Sequence, residues 1–246
     1  MDLGLAGRVA LVTASSRGLG RGAAEALAAE GVRVTICARG RAALAEAAAA
    51  LEATGAEVLA LPADVTDPAV PEQLVAATVE RFGGLHVLVA NAGGPPQGRA
   101  LDVDDDALRT AVEANLLTSV RLVRAAVPHQ RAAGWGRICL ITSAYVKQPS
   151  PTLALSNTAR TGLWAWAKTA AADLAADGIT LNLACPGLHL TERTRELGTA
   201  APGDGRRLGD PADFGKVVAF LCSQPAGFVS GAALQVDGAT IVSGLL

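Results

Sequence analysis

The stretch "RVALVTASSRGLGRGAAEALAAEG" (residues 8–31) decides the fold. It begins as a continuous apolar run, passes through a glycine-rich turn and continues as an alanine-rich segment with helical spacing. A run that is apolar at every position is typical of a parallel strand buried on both faces. A glycine-rich turn between a strand and a helix lets the backbone approach a pyrophosphate, whose charge is favoured at the helix N-terminus. The stretch therefore predicts a first strand–turn–helix unit able to bind a dinucleotide.

The same alternation continues to the end of the chain. Six further apolar runs, separated by longer segments of helical spacing, cover residues 33–38, 57–63, 85–92, 137–144, 180–187 and 233–238. This pattern predicts an α/β fold with a single doubly wound parallel sheet, Rossmann-like, with helices on both faces. Neither a repeat nor a linker divides the sequence, so we expect one dinucleotide-binding domain over residues 1–246.

Composition narrows the classes of function. Half of the 246 residues are hydrophobic and the net charge is −2, which is a globular composition with no field to attract nucleic acid or an anionic membrane. No run approaches the ~20 apolar residues that cross a bilayer, and the N-terminus lacks the features of a signal peptide. The four cysteines are widely spaced without a C-x-x-C pair. We therefore expect a cytoplasmic protein with reduced thiols and no metal, nucleic-acid or membrane partner.

The end of the second apolar run bears on the choice of dinucleotide. A site for NAD normally places an acidic residue there, which holds the 2′-hydroxyl of the ribose. This chain has Ala38 at that position, followed by Arg39 and Arg41, and Arg17 lies in the glycine-rich turn. Guanidinium groups suit a 2′-phosphate, so the sequence favours NADP(H) over NAD(H). The alternative is that these arginines are solvated surface charges.

Short motifs in a fixed order point to a family. They are "TASSRGLG" (13–20), "ADV" (63–65), "ANAG" (90–93), "EAN" (113–115), "ITS" (141–143), "PGLHLT" (186–191) and the C-terminal stretch "VVAFLCSQPAGFVSGAALQVDGA" (217–239). Together they resemble the short-chain dehydrogenase/reductase family, including its 3-oxoacyl-carrier-protein reductases, from Gly7 to the C-terminus. The resemblance implies an NADP(H)-dependent oxidoreductase with a small-molecule substrate, assembled as a homodimer or homotetramer.

The resemblance also assigns site residues by position. Ala14 replaces the first glycine of the family's turn, Asp64 would face the adenine, and a lid over the substrate would cover about residues 188–210. The Gly- and Pro-rich stretch 198–211, which overlaps this lid, predicts a mobile loop. The cofactor-binding residues are Thr13, Ser15, Ser16, Arg17, Gly18, Leu19, Gly20, Arg39, Asp64, Val65, Asn91, Ala92, Gly93, Arg160, Pro186, Gly187 and Thr191.

The catalytic pair departs from the family's pattern. The family places a tyrosine thirteen positions after the serine that matches Ser143, and a lysine four positions later, where this chain has Ser156 and Arg160. Both fall in "LALSNTARTGLWAWAK" (153–168), which predicts a helix, and the i, i+4 spacing keeps them on one face. The only tyrosine is Tyr145, and no lysine follows it by four residues. This sequence therefore contains no tyrosine–lysine pair with the family's spacing.

The resemblance implies a role for each residue at the catalytic site. Ser143 would polarise the substrate, Arg160 would hold the nicotinamide ribose without relaying a proton, and Asn115 would anchor water or backbone nearby. Three sources of the proton stay open. Tyr145 could share a strand face with Ser143, although a wall or core role is the preferred interpretation. A water could fill the phenol's space and work with Ser143 or Ser156. Alternatively, an iminium or activated double bond could need little acid help.

Two other classes of function stay open: a catalytically silent cofactor-binding sensor or partner subunit, and a non-redox enzyme that reuses the pocket. His189 could supply a proton near neutral pH, but we interpret it as a pocket-wall residue. We interpret His86 and His129 as structural or surface residues. Trp164 and Trp166 more often indicate core or subunit contact than substrate stacking, on a helix that the family commonly uses for dimerisation.

Overall fold

A computed structural model of the chain describes residues 1–196 and 207–241. This part of the chain forms one seven-stranded sheet in the order β3-β2-β1-β4-β5-β6-β7, with every neighbouring pair parallel. All seven runs predicted as strands are strands, so the predicted doubly wound sheet is confirmed. The strands are β1 (Val9–Val12), β2 (Arg33–Ala38), β3 (Val58–Pro62), β4 (Val87–Ala90), β5 (Gly136–Ile141), β6 (Ile179–Pro186) and β7 (Ala233–Val236).

Helices connect the strands and cover both faces of the sheet. The helix predicted over 153–168 is present and runs on for six further residues, to Leu174. None of the helices in the described ranges is long and apolar enough to span a bilayer. The helices are α1 (Gly18–Ala29), α2 (Arg41–Glu52), α3 (Val70–Phe82), α4 (Asp105–Val112), α5 (Thr118–Ala132), α6 (Ala154–Leu174), α7 (Glu192–Glu196) and α8 (Pro211–Leu221), with a π-helical turn at Glu113–Leu117 and 3-10 turns at Ala144–Val146 and Ala175–Asp177.

The sheet lies between two apolar cores. The first core lies beneath α1, α2 and α8 and includes Val12 of β1 and Phe214 of α8. The second core lies beneath α3, α5 and α6 and includes Leu11 of β1 and Leu163 of α6. Successive strand residues point to opposite faces, and both faces exclude water. This explains why the strand sequences are mainly apolar and do not alternate between apolar and polar residues.

All four cysteines are buried free thiols, as the sequence predicts. Burial raises the pKa of Cys37 and that of Cys185 to about 11. A hydrogen bond with Cys222, together with burial, raises the pKa of Cys139. These thiols are therefore neutral at physiological pH and act as small apolar groups in the core.

Helices α1 and α8 approach so closely that their backbones meet. A Cβ built on Gly215 of α8 would lie 2.0 Å from the carbonyl oxygen of Gly22 in α1. A Cβ built on Gly22 would lie 2.2 Å from the carbonyl oxygen of Pro211. Only glycine fits at either position. Because α1 begins at the glycine-rich turn, this contact with α8 fixes where the turn lies.

We expect Gly215→Ala to lower the free energy of unfolding by about 2–3 kcal/mol, because the added methyl group must separate two helix backbones. The measurement is urea unfolding followed by circular dichroism. The control is Gly84→Ala, whose new Cβ would meet only the His86 ring at 3.6 Å. That variant should stay within about 0.5 kcal/mol of the wild type. Equal effects of the two substitutions would contradict the packing argument.

His86 stabilises the N-terminal edge of the sheet as a neutral imidazole. Its Nδ1 accepts a hydrogen bond from the backbone N–H of Val9 at 3.1 Å. Burial, with smaller effects of the nearby Arg8 and Arg33, lowers the pKa of His86. A protonated ring could not accept the bond from Val9, so the structural interpretation of His86 agrees with its contacts.

The lowered pKa of His86 predicts acid sensitivity of the fold. In the unfolded chain the pKa of His86 is about 6.5, so as the pH falls this histidine is protonated in the unfolded chain before it is protonated in the folded protein. The free energy of unfolding therefore falls as the pH decreases through this range. We expect His86→Gln to reduce this loss between about pH 7.5 and pH 5.5, measured by urea titration at each pH. His129→Gln, on the surface of α5, is the control and should keep the wild-type slope. An unchanged slope in His86→Gln would contradict the prediction.

Candidate active site

The carboxyl ends of the strands converge at one edge of the sheet, where the residues assigned from sequence lie. In an open parallel sheet, ligands bind outside these ends at the point where the strand order reverses. Here the reversal lies between β1 and β4, which are neighbours in the sheet. The glycine-rich turn follows β1, the "ANAG" segment follows β4, and Ser143 and Pro186 lie at the ends of β5 and β6.

Thr13 and Asn91 join the two sides of this crevice. The hydroxyl of buried Thr13 donates to the Asn91 carbonyl oxygen at 2.7 Å and accepts from the Asn91 backbone N–H at 2.8 Å. The Asn91 side-chain amide donates to the Ala14 carbonyl oxygen at 3.2 Å. The turn after β1 and the segment after β4 are therefore held together by hydrogen bonds within the protein.

Ser15 is also turned into the fold. Its buried hydroxyl donates to the Val12 carbonyl oxygen at 2.8 Å and accepts from the Cys37 backbone N–H at 3.2 Å. The expectation that Thr13 and Ser15 bind the cofactor therefore needs a correction for their side chains. Both hydroxyls already hold the turn, and the backbone N–H groups of Thr13 and Ser15 donate to the carbonyl oxygens of Val89 and Cys37.

The backbone of the turn is shaped so that a ligand can approach it closely. Gly18 has φ +60°, and a Cβ built on Gly20 would lie 2.5 Å from the Ala14 carbonyl oxygen. Ala14, which the resemblance places where the family has glycine, has φ +46°. The backbone thus takes the left-handed conformation that a glycine would adopt without strain. The turn keeps its shape despite the alanine.

The residues after β4 form an open floor beside this turn. Nothing lies within 4 Å of a Cβ built on the exposed Gly93, and a Cβ on Gly94 would be 3.9 Å from Nη2 of Arg160. A glycine-rich turn, an open floor and a nearby guanidinium fit a nicotinamide dinucleotide. The other residues assigned to the cofactor lie around this site. Ser16 and Ala92 are half-buried, Leu19 packs on the first core, and Val65 belongs to the second core. Pro186 and Gly187 lie at the end of β6, next to β7.

Each of the two arginines expected at the 2′-phosphate has an acidic neighbour. Nη1 of Arg39 lies 3.9 Å from Oδ2 of Asp64, and the Arg39 side chain is 80% exposed. Asp64 accepts hydrogen bonds from the backbone N–H and hydroxyl of Thr66, which lower the pKa of its carboxyl group. Arg17 donates instead to the carboxylate of Glu192, the first residue of α7. The sequence analysis did not identify Glu192.

The candidate catalytic edge contains Ser143, two residues after the end of β5. The Ser143 hydroxyl accepts a hydrogen bond from the Tyr145 backbone N–H at 3.2 Å and caps the 3-10 turn at Ala144–Val146. Tyr145 therefore does not share a strand face with Ser143, because β5 ends at Ile141 and the chain turns, and the preferred wall or core role of Tyr145 stays a prediction. Tyr145 is half-buried on this turn.

Arg160 lies in a polar niche at the centre of the edge. Its Nη1 donates to the Thr142 carbonyl oxygen and its Nη2 donates to Oδ1 of Asn115 at 3.1 Å. Its Nε is buried and has no hydrogen-bond partner among residues 1–196 and 207–241. Burial lowers the pKa of Arg160 to about 10, so the group stays a cation at neutral pH. The structure thus brings Arg160 and Asn115 into direct contact.

Asn115 owes its position to a local irregularity of the backbone. It lies in the π-helical turn Glu113–Leu117, between α4 and α5, and is buried. Such turns occur frequently at functional sites. Its amide Nδ2 donates to the Ala111 carbonyl oxygen at 3.4 Å, which leaves Oδ1 directed at Arg160.

Ser156 provides no substitute for a tyrosine acid. It lies in the first turn of α6, one turn before Arg160, and is half-buried. Its hydroxyl has no hydrogen-bond partner within the part of the chain that the structure describes, and hence no base to activate it. The same described residues contain no group of three His, Cys, Asp or Glu side chains placed to hold a metal.

His189 faces away from this edge. It is buried, its Nδ1 lies 3.2 Å from the Gly187 carbonyl oxygen, and its ring packs edge-on against Phe214 of α8 with the centroids 5.2 Å apart. Burial lowers its pKa. These contacts support the wall interpretation. Of the expected lid, residues 197–206 lie outside the described residues, and with them most of the loop expected at 198–211.

Trp164 and Trp166 pack partly against the second core, in agreement with the interpretation of a core or subunit contact. Trp166 also lines a surface groove of about 260 Å³ between α5 and α6, beside Val123, Val127 and Leu174. Neither tryptophan belongs to the catalytic edge.

Comparison with known proteins gives extensive matches. A family model described as enoyl-(acyl carrier protein) reductase matches residues 13–239. The dehydrogenase/reductase SDR family member 4 of Homo sapiens is 33% identical over 245 residues, covering 96% of this chain and 88% of its own length. The 3-oxoacyl-(acyl-carrier-protein) reductase FabG of Escherichia coli (strain K12) is 34% identical over 239 residues, with coverages of 94% and 96%.

Solved structures give the same result. The L-sorbose reductase from Gluconobacter frateurii, crystallised with NADPH and L-sorbose, superposes with a TM-score of 0.90 at 32% identity. The superposition covers 97% of this chain and 98% of the reductase chain. The fold of this chain is therefore shared with a reductase that was crystallised with a nicotinamide dinucleotide.

The left-handed backbone at Ala14 generates a stability prediction. We expect Ala14→Gly to raise the free energy of unfolding by about 0.5–1 kcal/mol, since relief of the steric strain exceeds the added entropy of the unfolded chain. Urea unfolding measures the change. Ala49→Gly, at an exposed position inside α2, is the control and should lower the same free energy by about 1 kcal/mol. A loss at both positions would argue against strain at Ala14.

Proposed function

The chain belongs to the short-chain dehydrogenase/reductase family, and we propose that it is an NADP(H)-dependent oxidoreductase of small molecules with a non-standard proton donor. The substrate would be a carbonyl, an imine or an activated alkene, and among these we favour the imine and the alkene. The family uses nicotinamide dinucleotides and acts on small molecules, which is the frame for the proposal. What is particular to this chain is the replacement of the tyrosine and lysine by Ser156 and Arg160.

The contacts of Arg160 carry the proposal. A half-buried cation that donates to the Thr142 carbonyl and to Asn115 cannot release a proton near neutral pH. Its remaining N–H groups can donate to a ligand ribose or to a substrate oxygen. Ser143 adds a hydroxyl at the same edge. The site thus offers positive charge and hydrogen bonds for a developing negative charge, without a side chain that supplies the proton.

A site without a proton-donating side chain favours substrates whose reduction needs little general acid catalysis. When bound, the dinucleotide supplies the hydride. Reduction of a plain ketone places charge on an alkoxide oxygen, and a positioned acid typically contributes ~10²–10⁴-fold to such a step. An activated alkene spreads the charge over an enolate, which Ser143 and Arg160 can stabilise by hydrogen bonds while water protonates carbon. An iminium becomes neutral on reduction and needs no proton in that step.

The preference for NADP(H) rests on Arg17 and Arg39. Neither the end of β2 nor the residue after it places a carboxylate where a 2′-hydroxyl would need one, since Ala38 and Arg39 stand there. The similar L-sorbose reductase was crystallised with NADPH. The loosely paired and exposed Arg39 is available to a phosphate.

We propose a homodimer or homotetramer as the assembled form, in keeping with the family's common oligomerisation. The groove between α5 and α6 supports this, because Trp166, Val123 and Val127 offer it an apolar lining. Residues 1–246 would form a single domain in each subunit. We also propose a cytoplasmic location, consistent with the four free thiols.

The experiment begins with fluorescence titration of the purified protein by NADPH. It continues with turnover on a matched set: cyclohexanone, 2-cyclohexenone and a cyclic iminium. We expect saturable binding and reduction of the enone or the iminium at a rate at least about tenfold above that of the ketone, because the missing acid penalises only the ketone strongly. Faster reduction of the ketone would contradict the substrate proposal.

Two variants separate the proton sources. Tyr145→Phe should leave turnover unchanged, and a loss of about 10²-fold or more would make Tyr145 the acid instead. The double variant Ser156→Tyr with Arg160→Lys should raise ketone reduction. If the wild type binds NADPH but reduces nothing, and only the double variant turns over, the silent cofactor-binding alternative holds. Absence of binding in the wild type would overturn the oxidoreductase proposal.

A further inference from the structure

The glycine-rich turn touches the start of α7, which lies 175 positions away along the chain. A Cβ built on Gly18 would lie 3.6 Å from Cγ2 of Thr191. Beside this contact, Nη1 of Arg17 donates to the carboxylate of Glu192. The two sides of the dinucleotide crevice are thus close together here and are joined by an ion pair.

The ion pair distinguishes the two arginines proposed for the 2′-phosphate. The Arg17 guanidinium is in direct contact with a carboxylate, whereas that of Arg39 stands 3.9 Å from its nearest carboxylate oxygen. In the protein without ligand, the charge of Arg17 is therefore compensated and that of Arg39 is much less so. A phosphate that binds Arg17 therefore competes with Glu192 for the same guanidinium.

We propose that Glu192 is a specificity-determining residue, which weakens the preference for the phosphorylated dinucleotide by holding Arg17. The inference rests on the proposed NADP(H) function. A phosphate monoester carries about −1.5 to −2 charges at neutral pH, so it repels the Glu192 carboxylate unless that group moves away from Arg17. NADH has a hydroxyl group at the same position and requires no such exchange. The penalty therefore falls on NADPH alone.

A purely mechanical role of the ion pair has a different signature. Helix α7 is also anchored by Arg193, whose Nη2 donates to the Pro95 carbonyl oxygen at 3.3 Å across the crevice. If Glu192 acted only by holding α7 in place, its loss would change the binding of NADPH and NADH to the same extent. The ratio of the two dissociation constants separates the roles.

The test is fluorescence titration of Glu192→Gln with NADPH and with NADH at low ionic strength. We expect the Kd for NADPH to fall about two- to fivefold, the range for loss of an exposed ion pair, while the Kd for NADH stays unchanged. The difference should shrink at about 0.5 M salt, because both side chains are more than half exposed. In an Arg17→Gln background, Glu192→Gln should have no effect on the ratio.

The matched control is Glu196→Gln, which removes the same charge from the same helix. Glu196 has no ion-pair partner among residues 1–196 and 207–241, so its loss should leave the ratio unchanged. An equal effect of the two substitutions, or equal changes for NADPH and NADH, would overturn the role of Glu192 while leaving the proposed function intact. Failure of both wild type and Glu192→Gln to bind either dinucleotide would overturn both proposals.

Discussion

A parallel sheet covered by helices on both faces leaves only the ends of its strands accessible to a ligand. Because the faces are buried, nearly every residue of β1 and β4 must be apolar, and polar chemistry is confined to the segments that follow the strands. The reversal of strand order between β1 and β4 opens a crevice at one such end. The Thr13–Asn91 hydrogen bonds then hold its two sides together. The glycine-rich turn, the floor at Gly93 and the Arg160 niche are all arranged around this crevice.

Strand and helix positions could be predicted because burial on both faces leaves a direct mark on the sequence. The contacts of the site were harder to predict, since many use the backbone. Arg160 donates to the carbonyl of Thr142, and any residue at position 142 would present that oxygen. The hydroxyls of Thr13 and Ser15 turn inward, although their motif alone is compatible with contact to a ligand.

Tyr145 and Glu192 show two other limits of prediction. Tyr145 and Ser143 could share one face of β5 only if the strand continued past Ser143. The strand ends at Ile141, and a 3-10 turn follows. A polar serine that caps such a turn was the available signal. Glu192 pairs with Arg17 across 175 positions, so no local pattern could have revealed the contact. Its place next to Thr191, in a motif that the resemblance assigns to the site, was the only clue.

The glycine contact between α1 and α8 has a consequence for how this chain can diverge. Where side chains meet, a change on one helix can be compensated by a change of size on the other. Where Gly22 and Gly215 bring backbone against backbone, no such reciprocal adjustment exists. These positions should therefore stay invariant among descendants of this sequence, while the outer surfaces of the same helices drift. The glycine pair thus constrains the evolutionary paths open to the protein, because no change elsewhere on the two helices makes room for a side chain at either position.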